Sequence, residues 1–436
     1  MKNSVVIMAA GKGTRMYSQL PKVLHKVCGK PLLFYIIQEA LKISDDIHLV
    51  LAHQADLIQE KIQENFPKKI TFHFQDLSKF PGTGGALMDS GLQKPFKTKY
   101  EKILILNGDM PLILASDMQK LLQAQGDIAL SVIKLANPSG YGRVLIDQDR
   151  VMAIKEDRDC TEEQKRINLV NAGVYVVDRK ILEGFLPKLT NNNVQSEYYL
   201  TDIISFGIKN HLKVTPLISE SDNFLGVNSK LDLSYVEEKM LDRIRKDLML
   251  RGVILHLPHT IYIESEVEFE GECEIEQGVR ITGNSKIKSS LIKSHSVIES
   301  SEIISSDVGP LAHIRPNSVI SNTHIGNFVE VKASKLDGVK AGHLSYLGDC
   351  EVQEGSNIGA GVITCNYDGV KKSKTFIGKN VFIGSDTQLV APLCIPSNVL
   401  IGAGSTVTKE CDEGDLVLSR TQQKNIKKGF FKFFSK

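Results

Sequence analysis

The sequence predicts an α/β unit followed by a β-solenoid, and three observations carry that prediction. From Ile377 to Val407 an aliphatic residue falls on every sixth position: Ile377, Ile383, Leu389, Ile395, Ile401 and Val407. Before about residue 228, short apolar runs alternate with stretches of helical character. Between the two, Leu233, Val236, Met240, Ile244 and Leu248 recur at steps of three and four, the spacing of an amphipathic helix over 229–249.

Six is even, so the repeat suits strands, whose alternate side chains share a face, and it misses the 3.6-residue period of a helix. A short fixed period means stacked repeats that bury their apolar faces only against their neighbours. Gly378, Gly384 and Gly402 follow the aliphatic residue, and Val381, Thr387, Val399 and Ser405 stand four places after it. The repeat extends backwards through Phe269, Ile275, Ile281 and Ile287, then Ile292, Ile298 and Ile304 after losing one residue. Val319, Ile325 and Val331 continue it, and it is clear again at Ile358-Gly359. Between Thr364 and Thr375 it breaks, and Cys365-Asn366-Tyr367-Asp368-Gly369 is a polar turn leaving the stack. Such a loop adds nothing to a solenoid's stability, so function is sought there.

In the first half, Ser4–Met8 is a short apolar strand running into Ala9-Ala10-Gly11-Lys12-Gly13-Thr14-Arg15-Met16. Residues 32–43 have helical character, and 48–51 and 102–106 are further buried strands, the second ending in Asn107-Gly108-Asp109. This alternation indicates a mostly parallel sheet covered by helices, with its site at the strands' carboxyl ends. Glycine lets backbone N–H groups approach phosphate oxygens, and Lys12 and Arg15 add positive charge. The loop is neither a Walker loop nor a dinucleotide fingerprint, and a glycine turn after a strand also serves structure alone. Asp109, just past a buried strand, can reach a divalent metal or simply complete a Gly-Asp turn. Asn228 offers a second oxygen ligand or a helix N-cap.

The 436 residues allow two or three domains: 1–228, a helical linker at 229–250, the solenoid at 251–420 and a tail at 421–436. With 42% hydrophobic and 24% charged residues the composition is that of an ordinary soluble protein, and a net charge of +2 gives no case for a nucleic-acid partner. Seven scattered cysteines without a Cys-x-x-Cys pair argue against a disulfide framework and a structural zinc site. With no signal peptide and no long apolar run, a cytoplasmic protein is expected. The tail mixes five lysines with Phe430, Phe431, Phe433 and Phe434. It can dock on the protein or a neighbouring subunit, or touch an anionic membrane; docking is preferred, because one short tail binds lipid weakly.

Gly11-Lys12-Gly13-Thr14-Arg15-Met16 with Pro21-Lys22-Val23-Leu24 resembles the signature of sugar-phosphate nucleotidyltransferases. Joined to Gly326-Asn327-Phe328-Val329-Glu330 and the run from Ala341 through His343 to Asp349, nearly the whole chain is similar to one family. These are the bacterial bifunctional N-acetylglucosamine-1-phosphate uridyltransferases/glucosamine-1-phosphate N-acetyltransferases. The resemblance implies a Rossmann-like α/β nucleotidyltransferase domain followed by a left-handed parallel β-helix of hexapeptide repeats. It implies UTP or UDP-N-acetylglucosamine binding by Met8, Ala9, Ala10, Gly11, Lys22, Gln75, Gly82, Thr83, Gly142, Glu156, Asn171 and Asn228. Arg15 and Lys22 would stabilise negative charge, Asp109 and Asn228 would bind Mg2+, and Tyr199 and Thr201 match a segment facing the sugar phosphate.

In the second half, His343 would be the general base of acetyl transfer, since a histidine titrating near neutrality can take a proton from an attacking amine. Arg315, Lys332, Tyr346 and Asn357 would bind glucosamine-1-phosphate. Asn366, Tyr367, Ser385, Ala403 and Arg420 would bind acetyl-CoA. Family members are homotrimers whose product feeds peptidoglycan and lipopolysaccharide synthesis. Phe80-Pro81 lengthen the segment after Gln75, and Asn107 stands where an aromatic residue is common. Lys332-Ala333-Ser334-Lys335 is one residue shorter than usual before His343. Two other readings are a nucleotidyltransferase whose solenoid only regulates or oligomerises, and a regulatory subunit with vestigial sites. His343 with Asn366-Tyr367 argues against the first, and intact Gly11, Arg15, Lys22 and Asp109 argue against the second.

Overall fold

The computed structural model describes residues 2–434 except 68, 90, 148–149 and 220–221; the last two residues of the tail and residue 1 lie outside the described residues. The chain divides into two compact units, Met1–Met240 and Leu241–Lys436.

The first unit is built on one sheet. Its strands run in the order Val214–Ser219, Ile128–Lys134, Leu169–Asp178, Lys102–Asn107, Ser4–Met8, Ile47–Leu51 and Ile70–Phe74. All pairs are parallel except those made by Leu169–Asp178, and the hairpin Arg143–Asp147/Arg150–Lys155 is attached to that strand. Both faces are covered, which explains why the strands are near-continuous apolar runs. Val5, Ile7, Leu104 and Leu106 face one core with the helices Leu32–Leu41, Ala55–Asn65 and Ala115–Gln123. Val6, Ile103 and Ile105 face the other, against Leu182, Phe185, Ile203 and Ile204 of the helices Arg179–Phe185 and Asp202–Lys209. The strands Ser4–Met8 and Lys102–Asn107 end side by side, with Met8 opposite Asn107, and this places the glycine loop next to Asp109.

The second unit is a left-handed β-helix with three parallel sheets as its sides. Where the coil is regular, each turn takes 18 residues: Ile377 pairs with Ile395, Ile383 with Ile401 and Leu389 with Val407. The six-residue period is therefore one side of the coil, and all six aliphatic residues are buried, as are Val381, Thr387, Val399 and Ser405. Two earlier positions are corrected. Ile303 and Ile320 point inward, while Ile304 and Val319 are only half-buried. Ile303 is in register with Ile287 and Ile320, so the stacking of neighbouring turns decides which of two adjacent branched residues faces the core. Val352 pairs with Ile377 across 25 residues, the turn being lengthened by the predicted excursion, whose tip Val370 is 90% exposed.

The helix Lys230–Leu250 serves both units. In the first, Glu237 accepts from the Cys28 N–H at 3.2 Å; in the second, the Arg245 guanidinium donates to the Ile261 carbonyl at 2.9 Å. Among the described residues no cysteine is joined in a disulfide. Among the described residues no helix is long and apolar enough to cross a membrane. In the tail, Phe430, Phe431, Phe433 and Phe434 are 68–84% exposed; Phe430 meets Phe431 edge-on and lies tilted against Phe434, and the phenylalanines do not dock elsewhere among the described residues.

Candidate active sites

In the first unit two adjoining cavities open at the carboxyl ends of the strands. The larger, about 490 Å³, is lined by Met8, Ala9, Ala10, Gly11, Lys12, Lys22, Gln75, Gly82, Thr83 and Asp109. The smaller, about 310 Å³, is lined by Arg15, Tyr141, Gly142, Glu156, Asn171, Thr201 and Asn228. Met8, Thr83, Asn107 and Asp109 line both, so they form the junction of one cleft. Tyr199 lines neither; it is buried, and its hydroxyl accepts from the Gln195 amide at 2.8 Å.

At the junction the Lys22 ammonium is paired with the Asp109 carboxylate and lies 3.3 Å from the Asn228 amide oxygen. Gly13 makes this approach possible: at φ +61°, it would place an added Cβ 2.7 Å from Lys22 Cβ. Gly11 has no such neighbour within 4 Å, and its bare backbone faces open space. Asn228 is not the helix cap. Ser229 Oγ accepts from the Asp232 N–H at 3.2 Å, and the Asp232 carboxylate accepts from the Asn228 and Ser229 N–H groups at 2.9 and 2.8 Å. This reciprocal capping leaves the Asn228 side chain directed at Lys22.

Gln75 spends its donors on the loop that follows it, bonding the Phe80 and Gly82 carbonyls at 2.8 Å each and keeping its amide oxygen available. This is how the longer segment is accommodated. In the smaller cavity the Glu156 carboxylate accepts from Thr201 Oγ1 at 2.9 Å; burial pushes its pKa up, against the effect of that bond. Asn171 donates to the Tyr175 hydroxyl at 2.6 Å and accepts from the Gly173 N–H at 3.0 Å. Asn107, Tyr141 and Glu197 also line the cleft, and sequence reasoning attached no role to them.

On the solenoid a second polar cluster forms. Asp349 Oδ2 accepts from Lys332 Nζ at 3.0 Å and Asn366 Nδ2 at 2.5 Å, and Asn366 also reaches the Tyr346 hydroxyl at 3.4 Å. Arg315 is paired with Glu330 at 2.9 Å. His343 and Asn357 are on a different side of the coil, in strands Lys340–His343 and Asn357–Ile358; the former ends at the corner before Tyr346. His343 is exposed, and no described side chain is bonded to its imidazole. Ser385 and Ala403 occupy successive turns, where the Ser385 carbonyl accepts from the Gly404 N–H and Arg420 donates to the Ala403 carbonyl, both at 2.8 Å. Tyr367 is 59% exposed on the excursion. Lys372, missed in the sequence, comes back to Lys332, and a side-chain hydrogen bond with that lysine, followed by its positive charge, pushes the Lys372 pKa down. No group of three or more His, Cys, Asp or Glu among the described residues could hold a metal alone.

Residues 5–165 match the MobA-like NTP transferase domain. Over its full length the chain is 58% identical to the bifunctional protein GlmU of Helicobacter hepaticus, covering 98% of that protein. It is 55% identical to the same protein of Nitratiruptor sp., each covered completely, and 55% identical to that of Helicobacter pylori strain HPAG1, with 99% of both covered. The chain belongs to the GlmU family. As a member it is a bifunctional transferase, with a uridyltransferase and an acetyltransferase activity. GlmU membership disfavours a solenoid that only regulates and a subunit with vestigial sites. The nucleotidyltransferase match lies wholly within the first unit.

Proposed function

We propose that the chain makes UDP-N-acetylglucosamine in two steps. The solenoid acetylates glucosamine-1-phosphate, and the α/β unit then joins the product to UMP from UTP, yielding the activated sugar for peptidoglycan and lipopolysaccharide synthesis. The observation that carries this reading is the meeting of Lys22, Asp109 and Asn228 where the two cavities join. A nucleotide in the larger cavity and a sugar phosphate in the smaller would bring their phosphates together there.

In the uridyl step a phosphate oxygen of N-acetylglucosamine-1-phosphate attacks the α-phosphorus of UTP and pyrophosphate leaves. The nucleophile is already an anion, so charge compensation matters more than a base. Lys22 gives up Asp109 to meet the phosphates, and Arg15 adds a second cation. Gln75, Gly82 and Thr83 hold the uracil, while Gly142, Glu156, Asn171 and Thr201 hold the sugar. Asp109 and Asn228 present a carboxylate and an amide oxygen at one point, a donor pair suited to a hard cation that completes its shell with phosphate oxygens. Magnesium held there would offset the negative charge on the reacting phosphates.

In the acetyl step the glucosamine nitrogen attacks the thioester carbonyl, the C–S bond breaks and coenzyme A leaves. His343 takes the amine proton. Arg315 and Lys332 hold the sugar phosphate with Tyr346 and Asn357, and Asn366, Tyr367, Ser385, Ala403 and Arg420 hold the acetyl-CoA. A second copy completes this site. Leu311, Phe328 and Leu344 stand at one corner of three successive turns, in a column that ends next to His343, and are 44%, 56% and 63% exposed. An apolar column of that kind suits burial between solenoids, and a trimer would supply it.

The test is a mass-spectrometric assay with both sugar phosphates, acetyl-CoA, UTP and magnesium. His343→Ala should abolish coenzyme A release and spare UDP-sugar formation, and Asp109→Ala should do the reverse. Loss of both activities in either variant would contradict two separate sites.

A further inference from the structure

We propose that Asp349 is the positioning residue of the acetyl-transfer site, locking the phosphate-binding lysine and the donor-facing loop into one register. This rests on the acetyltransferase reading above. Asp349 follows the strand Tyr346–Gly348 at a corner with φ +50°, a conformation that Asp tolerates better than most side chains. From that corner it bonds to three different stretches of chain. Its N–H donates to the Lys332 carbonyl at 2.9 Å, and its carbonyl accepts from the Thr375 N–H at 3.2 Å. Its carboxylate oxygen Oδ2 takes the Lys332 ammonium at 3.0 Å and the Asn366 amide at 2.5 Å.

The excursion from the coil is thus held at both ends by one residue, at its exit through Asn366 and at its return through Thr375. The side chains of Lys332 and Asp349 are each 17% exposed and Asn366 is 8% exposed, so little water competes for these bonds. Charge makes the arrangement informative. Arg315, Lys332 and Lys372 gather positive charge suited to a phosphate, and a carboxylate among them opposes an anion by Coulomb repulsion. What it supplies instead is geometry: one acceptor fixes both Lys332 and Asn366, and displacing a substrate-positioning group by about 1 Å can cost about 10²-fold in rate. Although burial disfavours the charge, Lys332 and Asn366 hold the Asp349 carboxyl below its usual range, and the same ion pair raises Lys332.

Two substitutions separate positioning from corner-making. Asp349→Asn keeps the size, the turn preference and a neutral acceptor for Asn366, but removes the charge that holds Lys332. Asp349→Gly keeps the turn and removes every side-chain bond. The Asn variant should raise KM for glucosamine-1-phosphate about tenfold while KM for acetyl-CoA stays within twofold; the Gly variant should raise both and lower kcat/KM of acetyl transfer about 10²-fold. Uridyl transfer by the same polypeptides should remain within twofold, and both variants should still be folded at the assay temperature, as read from circular dichroism, even where the lost bonds lower the unfolding midpoint. A Gly variant with both KM values unchanged would reduce Asp349 to a corner residue. Equal loss through both substrates in the Asn variant would equally overturn the proposal. His343→Ala assayed alongside keeps the two questions apart: if it retains acetyl transfer, the acetyltransferase reading fails, whereas its loss with unaltered Asp349 variants refutes this inference alone.

Discussion

Gly82→Ala is the substitution whose cost the geometry sets most directly. Gly82 is at φ +93°, and an added Cβ would stand 2.7 Å from the Tyr198 carbonyl oxygen and 2.8 Å from Glu197 Cβ. Neither atom is a free end. The Tyr198 N–H donates to the Pro81 carbonyl at 2.8 Å, and its carbonyl accepts from the Gly84 N–H at 2.7 Å, so its peptide cannot yield without breaking the loop. A side chain at such a φ costs about 1–2 kcal/mol, and overpacking against fixed atoms adds about 1–3 kcal/mol. The α/β unit should lose about 2–5 kcal/mol in all. Gly91→Ala is the reference, because Gly91 is at φ +79° and its Cβ would meet no described atom within 4 Å. It should show the conformational cost alone, about 1–2 kcal/mol.

Urea unfolding of both variants, with steady-state kinetics for UTP and N-acetylglucosamine-1-phosphate, measures these terms. Gly82 and Thr83 line the larger cavity, and the Thr83 hydroxyl accepts from the Leu200 N–H at 3.0 Å, next to Thr201 in the smaller one. Displacement of the loop should therefore lower kcat/KM of uridyl transfer by about 10²-fold and leave acetyl transfer unchanged. If Gly82→Ala unfolds with Gly91→Ala and keeps its KM for UTP, the contact argument is wrong.

Three further outcomes are expected. Ile383, fully buried between Ile358 and Ile401, should cost about 2–5 kcal/mol when replaced by Ala. Hydrogen exchange should speed up in those adjoining turns and not around Ile275, because each repeat supports only its neighbours; uniform loss of protection would speak against this. His73 is held neutral down to about 4 by burial and by His48, while an unfolded histidine protonates near 6.5. The unfolded state then binds more protons between these values, so stability falls as pH drops from 6.5 to 4, by about 1–2 kcal/mol after allowing for solvent screening. His73→Phe, which keeps a ring against Phe96, should lose most of that slope in urea midpoints measured at pH 7 and 5. Excess chelator should stop uridyl transfer and leave acetyl transfer within twofold; loss of both activities would remove the assignment of the metal to Asp109 and Asn228.

What was legible in the sequence follows from local geometry. A period of six encodes a flat side of a coil, because alternate strand residues share a face, and so Ile377 to Val407 revealed the solenoid unaided. Apolar runs alternating with helical spacing revealed the covered sheet in the same way. Where two branched residues are adjacent, as in Ile303-Ile304 and Val319-Ile320, periodicity is silent, and register with the neighbouring turn decides. The excursion after Thr364 was visible as a break, whereas its clasp at Asp349 was not, since a corner Asp has the same local signature with or without partners.

The cleft shows the same division more sharply. Motifs and resemblance singled out Lys22, Asp109 and Asn228 one at a time, the last two each with a bland reading beside it. Lys22 lies 87 residues from Asp109 and 206 from Asn228, and no pattern of spacing records that they meet. Their meeting depends on strands Ser4–Met8 and Lys102–Asn107 lying side by side, and on Ser229 with Asp232 capping the helix so that Asn228 is free to turn inward. The sequence by itself determined the two architectures and the residue types available for chemistry. Only the tertiary structure decided which of those residues share one site, because convergence is a property of chain topology and local periodicity carries no information about it.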